Sequence, residues 1–330
     1  MRRPRIKAEG HGFYHCISRT CEGRHAFTTT SSVCIEAEVF VGLMHQLANF
    51  CGIRILTYAV MSNHFHILCE VPERRPLSDE ELLERVENLY GPGRRKRVAL
   101  ELEACLKRSD SEWHRAQIHT AFVRRMFDVS VFLTELKGGF AQWYNRRHNR
   151  FGVFWAERFK SVLVEGGSAV RAVAAYIDLN PVRGGLCKDP KDYRFCGYAE
   201  AIAGGSLSAR SGISAAFAYS SSLPWKEVAE QYRCLLFSTG LESAARPNRG
   251  GFDQGTVQRV IEKERGELSM LSLLNCRARY FTQGGILGSQ RFVEAQFARL
   301  KESLGYKRDR KGYQLPEFPG LYMLKRPQSA

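Results

Sequence analysis

The stretch that most constrains the fold is Met61–Val71, MSNHFHILCEV. His64 and His66 flank Phe65 and open an apolar run. In a strand, alternate side chains point to opposite faces, so the two imidazoles share one face and Phe65 turns to the other. Two histidines at this spacing on a stiff strand can hold one divalent ion. The same pattern is also that of two polar residues on the wet face of a half-buried strand, and spacing alone does not choose between them.

A second stretch bears on that choice. Residues 170–183 read VRAVAAYIDLNPVR. The Ala-rich run to Leu179 predicts a helix that Pro181 ends. Tyr176 and Asn180 are four apart and fall on one helix face. A tyrosine hydroxyl can act as a nucleophile that forms a covalent intermediate. An Asn carbonyl oxygen can be a third, hard ligand beside two histidines. A buried Tyr followed by a helix-terminal Asn is the plainer alternative.

Charge sets the class of partner. The chain has 330 residues, with 49 Lys+Arg against 34 Asp+Glu and a net charge of +15. Such a surplus suggests a polyanion. Basic residues interleave with aromatics in Trp143-Tyr144-Asn145-Arg146-Arg147-His148 and in Phe154-Trp155-Ala156-Glu157-Arg158-Phe159-Lys160. Single-stranded nucleic acid is held by such mixtures, through stacking on bases and cations on phosphates. A membrane surface fits less well, because no clear basic amphipathic anchor is visible. No apolar run reaches the ~18 residues of a membrane span. The basic start, MRRPRIKAEGHGF, has no apolar segment after it and is not read as a secretory signal. Ten cysteines without a CxxC pair argue against a zinc knuckle and for reduced thiols in a cytosolic chain.

In order, Phe13–Arg19 reads as a strand, residues 34–50 as a helix ended by Gly52, and Arg54–Val60 and His64–Val71 as two strands joined at Ser62-Asn63. Residues 78–108 read as helix, with Ser78 and Glu81 as a capping box. Gly91-Pro92-Gly93 breaks that helix, and four cations, Arg94–Arg97, follow in a loop. Helix resumes over 112–147, with Phe122, Met126, Phe132, Leu133 and Leu136 as core. Arg158–Glu165 is a last strand before the helix of Tyr176. This order predicts an α+β fold: a central antiparallel sheet with helices on one face. Gly204–Gly212 reads as a linker. Beyond it, 213–240, 256–276 and a segment from about Ser289 read as helical, with a turn at Gly284-Gly285.

These pieces resemble the HUH single-tyrosine transposases of insertion sequences, and among them the REP-associated tyrosine transposases. The likeness rests on an ordered set: Phe13-Tyr14-His15-Cys16-Ile17-Ser18-Arg19, MSNHFHILCEV, LKGGFAQWYNRRH (136–148), FGVFWAERFKSVLVE (151–165) and YIDLNPVRGGLCKDPKDYRFCGY (176–198). It spans most of residues 10–200. Two positions depart from the common pattern: Phe140 stands where many relatives carry tyrosine, and Ser62 where they carry proline.

The resemblance implies a ferredoxin-like HUH core over residues 1–205, with a helical insertion at about 78–147. Residues 206–330 form a basic, mostly helical extension, whose Lys301, Lys307, Arg308, Arg310, Lys311, Lys325 and Arg326 suit DNA contact or merely a soluble surface. It implies a nucleoid-associated cytoplasmic enzyme, a monomer or homodimer, that nicks and rejoins single-stranded or hairpin DNA. Tyr176 is the nucleophile it implies, ahead of Tyr144, and the intermediate is a 5′-phosphotyrosine. Tyr14, Tyr58 and Tyr193 read as packing residues. His64, His66 and Asn180 would hold Mg or Mn. Arg19, Arg146, Arg147, Trp155, Arg158, Lys160 and Arg183 would contact DNA. A non-cleaving hairpin-binding protein and an RNA-binding protein are the alternatives.

Overall fold

The computed structural model describes residues 5–27, 34–106, 110–203, 206–217, 223–239, 251–255, 257–258, 284–301, 312–314 and 320–325. Strands β1 (Gly12–Arg19), β2 (Arg54–Val60), β3 (His64–Val71) and β4 (Lys160–Val164) form the antiparallel centre of an α+β fold, in the spatial order β2-β3-β1-β4. The β2–β3 hairpin closes where Met61 N–H donates to the His64 carbonyl at 2.8 Å. In β1, Ile17 stands opposite His66 and Arg19 opposite His64.

Helices cover both faces of this sheet, where the sequence suggested one. α1 (Ile35–Cys51) and α5 (Val129–Arg147) pack on the side of Phe65, whose ring lies 4.8 Å from Phe40. α6 (Ser168–Asp178) covers the opposite side, where Asp178 accepts from Thr57 of β2 at 2.7 Å. The reason is visible in β1: seven of its eight residues are buried, including His15 on the face it shares with His66. Strand alternation places polar residues on one side, but that side is not wet.

Ser78 and Glu81 do form a capping box at α2 (Asp79–Tyr90). The cations at 94–97 lie on α3 (Pro92–Cys105), where Pro92 opens a helix instead of a loop. Arg95 there pairs with Glu80 and Glu87. The helix expected over 112–147 is two. α4 (Ser111–Val123) ends before Phe127, which takes a left-handed φ of 56°, and Asp128 caps α5 by accepting from Ser130 N–H at 2.7 Å.

The short α7 (Asn180–Arg183) follows α6, with Pro181 in its first turn; α8 (Gly197–Ile202) comes next. Gly204–Gly212 is not a linker throughout. α9 (Leu207–Phe217) starts inside it, and a Cβ on Gly212 would lie 2.2 Å from the Ile55 carbonyl of β2. That glycine lets helix and strand backbones touch. α10 (Trp225–Thr239) packs behind, and its Tyr232 also reaches Asp178.

The later chain contributes strands as well as helices. β5 (Gly284–Gly288) stands where the turn was expected, parallel to β4, which makes the sheet mixed. α11 (Gln290–Leu300) follows, capped by Ser289, and β6 (Tyr313–Gln314) and β7 (Tyr322–Lys325) complete the order β5-β7-β6. The helical expectation over 259–276 and the cations Lys307, Arg308, Arg310, Lys311 and Arg326 lie outside the described residues. Among the described residues, no helix is long and apolar enough to cross a membrane.

Candidate active site

The site is built on the α6 side of the sheet. Strand alternation puts His64 and His66 there, with ring centroids 5.2 Å apart, and pairing with β1 sets Arg19 beside His64. α6 lays Tyr176 against His66 and His15: its ring centroid is 5.8 Å from that of His66 and 6.1 Å from that of His15. Small residues allow this approach. Ala59 of β2 stands opposite His66, and Ala172 and Ala175 of α6 are buried. α6 is held in place two residues past Tyr176, where the Asp178 carboxylate accepts from Thr57 Oγ1 (2.7 Å), Tyr232 Oη (2.6 Å) and Tyr198 N–H (3.2 Å).

Burial, then the nearby Arg19, holds the His64 pKa down to about 4. Burial, then His64, His15, Arg19 and Arg183, holds His66 well below the ordinary histidine value. Both rings are therefore neutral at pH 7, the form that ligates a metal. The tautomer of His64 follows from its neighbour. Asn63 Nδ2 donates to the Gly23 carbonyl at 3.2 Å, which turns Asn63 Oδ1 to His64 Nδ1 at 2.8 Å. His64 Nδ1 is thus the protonated nitrogen, and Nε2 carries the lone pair. The Nδ1 of His66 faces His15 Nε2 at 3.0 Å.

Two neutral imidazoles suit a first-row divalent ion. Among the described residues, no group of three or more His, Cys, Asp or Glu is placed to hold a metal. Among the described residues, an amide oxygen could be a further ligand, with water or a substrate oxygen completing the shell. Asn180 is half-buried at the start of α7, and its Nδ2 donates to the Tyr176 carbonyl at 2.9 Å rather than to the histidine pair. That bond leaves Oδ1 as the acceptor end of the amide.

The expected DNA contacts divide. Arg19 is exposed at the end of β1, and Arg183 lies with Cζ 5.0 Å from the Tyr176 ring centroid; both belong to the site. Arg146 and Arg147 are exposed at the end of α5, on the other side of the sheet, and Arg147 pairs with Glu36 at 3.7 Å. Arg158 and Lys160 are exposed ahead of and at the start of β4, with Lys160 paired to Glu157 at 2.9 Å. Trp155 is a correction. It is 8% exposed, donates Nε1–H to the Lys137 carbonyl at 2.9 Å, and meets Phe65 edge-on at 5.4 Å. A base cannot stack on it without opening the core.

Of the other tyrosines, Tyr144 is buried against Phe154 and His148 on the α5 side, away from the histidines. Tyr58 donates to Glu200, Tyr193 to the Val60 carbonyl, and Tyr14 Oη accepts from Ala8 N–H, so these three are packing residues. Sequence reasoning missed His15, Asn63 and Asp178 as parts of the site. His15 and Asp178 needed tertiary pairings, β1 on β3 and α6 on β2, that no local pattern reveals. Asn63, adjacent to His64, carried a local signal as a residue able to hold its ring.

No protein-family model matches the sequence, and no curated protein matches it. Among solved structures, the chain is similar to a REP-associated tyrosine transposase bound to a REP hairpin. The identity is 14% and the TM-score 0.38, over 62% of this chain and 86% of that one. A likeness of this size says nothing about substrate or chemistry.

Proposed function

We propose that this protein is a DNA transposase, or a domesticated relative of one, that cleaves and rejoins single-stranded or hairpin DNA with Tyr176 as nucleophile. The observation that carries the reading is the meeting of Tyr176 with His64 and His66 on one buried sheet face, 5.8 Å between the Tyr176 and His66 rings. The ordered motifs of the sequence supply the reaction class.

His64 and His66 would hold the Mg or Mn ion, with Asn180 Oδ1 as the protein's oxygen ligand. When bound, such an ion polarises and orients the scissile phosphate. The chain's own residues do the rest. Tyr176 Oη attacks phosphorus and its proton leaves to solvent. The bond to the 3′ oxygen breaks, that oxygen takes a proton from solvent in return, and a free 3′-OH and a 5′-phosphotyrosine result. Attack by a second 3′-OH reverses the step, so strands rejoin without ATP. Arg183 lies against the Tyr176 ring, where its charge favours a phosphate held beside that tyrosine. Tyr176 is only 3% exposed, so residues packed over it must move before a substrate reaches Oη. Arg19, exposed beside His64, offers a second cation to the backbone.

The test is covalent trapping. The protein is incubated with labelled hairpin oligonucleotides from DNA flanking its gene, with Mn or Mg, and then denatured. A metal-dependent, SDS-resistant band absent in Tyr176→Phe and His64→Ala is expected. A band that survives Tyr176→Phe moves the nucleophile elsewhere. Tight hairpin binding with no band means a non-cleaving module, and metal-independent binding to RNA alone would refute the DNA reading.

A further inference from the structure

We infer that His15 is the positioning residue of the histidine pair: its Nε2 accepts the Nδ1–H of His66 and so holds His66 with Nε2 turned toward a bound divalent ion. This rests on reading His64 and His66 as metal ligands.

His15 is fully buried in the middle of β1, on the face that carries Ile17 and Arg19. Its Nε2 lies 3.0 Å from His66 Nδ1, and the two rings stack at 27° with centroids 5.2 Å apart. Its other close ring is Tyr176, met edge-on at 6.1 Å. His15 thus packs against both the candidate ligand and the candidate nucleophile, whose rings also meet each other.

At 3.0 Å, the two facing nitrogens must share one proton. Two lone pairs would repel, and two N–H groups would collide. Either His66 donates to His15 or His15 donates to His66. An ion on His66 Nε2 needs the lone pair there, which places the ring's proton on Nδ1 and leaves His15 as the acceptor. The ion and His15 therefore select the same tautomer. Asn63 fixes His64 in the matching state through its own Nδ1 contact of 2.8 Å. Each candidate ligand has its distal nitrogen held by a different partner, and such partners orient a ligand ring and raise its basicity. A histidine present only to fill the core would have no such requirement: phenylalanine would serve as well.

The experiment measures Mn(II) binding by calorimetry on the full chain without DNA, for wild type, His15→Phe, His15→Gln and His64→Ala. His15→Phe keeps the ring volume but cannot accept, and should weaken binding by about 10- to 100-fold. His15→Gln offers an acceptor oxygen and should recover part of that loss, while His64→Ala removes a ligand outright. Folding of each variant is checked by melting. If folded His15→Phe binds Mn(II) within about twofold of wild type, the inference is wrong. If wild type binds no Mn(II), the ligand reading falls and this inference with it. An independent readout needs no variant: long-range ¹H–¹⁵N spectra of the Zn(II)-loaded protein should show His66 protonated at Nδ1 and His15 unprotonated at Nε2. The reverse assignment overturns the proposal even if His15→Phe does not fold.

Discussion

Asp178 contributes stability that is lost as pH rises through the weakly acidic range, against the opposite contribution of His64 and His66, whose lowered pKa values favour folding as pH rises. Its carboxylate is fully buried between α6, β2 and α10. Burial lifts its pKa from 3.8 to about 6; the hydrogen bonds from Tyr232, Thr57 and the Tyr198 N–H pull the other way and lose. The folded state therefore holds the proton more tightly than the unfolded chain. This contribution is full below 3.8 and is lost as pH rises through 6. The gap from 3.8 to about 6, at about 1.4 kcal/mol per pH unit, is about 3 kcal/mol. For a mid-sized domain, at about 2–4 °C per kcal/mol, that is roughly 6–12 °C in the change, between pH 4 and 7.5, of the Tm difference from a variant that cannot ionise at 178. Asp178→Asn cannot ionise. Its Oδ1 can still accept from Thr57, and its Nδ2 can donate to a rotated Tyr232 hydroxyl. The assay is thermal melting of both proteins across that range. The Asn variant should gain stability relative to wild type as pH rises from 4 to 7.5 and be the more stable form at pH 7.5, the histidine contributions being common to both. If both profiles have the same slope between pH 4 and 7.5, Asp178 does not carry the proton and the reasoning fails.

Lys137 gives the opposite sign. Burial, and then Arg5, lowers its pKa to about 8 from 10.5, so stability from this group is complete above 10.5 and lost as pH falls through 8; Lys137→Met should remove that rise in an alkaline melting series. Gly212→Ala drives a methyl against the Ile55 carbonyl and should cost about 1–3 kcal/mol, whereas Gly138→Ala in α5 meets nothing within 4 Å and should gain about 0.5–1 kcal/mol; denaturant midpoints decide both. Trp155→Ala should cost about 3–5 kcal/mol through the cavity it leaves. An unchanged midpoint with hairpin binding lost would restore Trp155 as a base platform.

The elements near the histidines were legible because their signals are local. Strand alternation in MSNHFHILCEV, the Ser62-Asn63 turn, Gly52 after an amphipathic helix and the Ser78 capping box each act within a few residues, and each stands in the structure. What could not be read depends on contacts between distant segments. The alternation of His64 and His66 on β3 also fitted a wet strand face; His66, with His15 and Thr57 on the neighbouring strands, is instead roofed by α6, and these groups are satisfied there or by one another. The Gly- and Ser-rich 204–212 looked like a linker, yet Gly212 is small because a helix presses on a strand. Trp155 sits among cations in sequence, but its indole points inward to Phe65 and to the Lys137 carbonyl. Neighbours in sequence told little about which way that ring faced.

The two faces of the sheet divide the work of the molecule. On the α1 and α5 side, Phe27, Phe40, Phe65, Phe140 and Trp155 interlock, and rings of that size leave no room for a substrate group. On the other side, the residues around the histidines are small, and α6 comes close on Ala172 and Ala175. A helix that close lets a tyrosine ring reach a strand histidine, and the Asp178 hydrogen bonds hold the helix there. Stability and the candidate chemistry therefore meet in one helix. Loosening the Asp178 lock should disturb Tyr176 before it disturbs the aromatic face. Asp178→Ala leaves Thr57, Tyr232 and the Tyr198 N–H without their acceptor, at about 1–3 kcal/mol for each buried group left unsatisfied. Just below its own melting point, Asp178→Ala should lose adduct formation while the fluorescence of Trp155, read in a background with Trp113, Trp143 and Trp225 replaced by Phe, still reports a packed core. Loss of both signals together would mean that the two faces unfold as one unit.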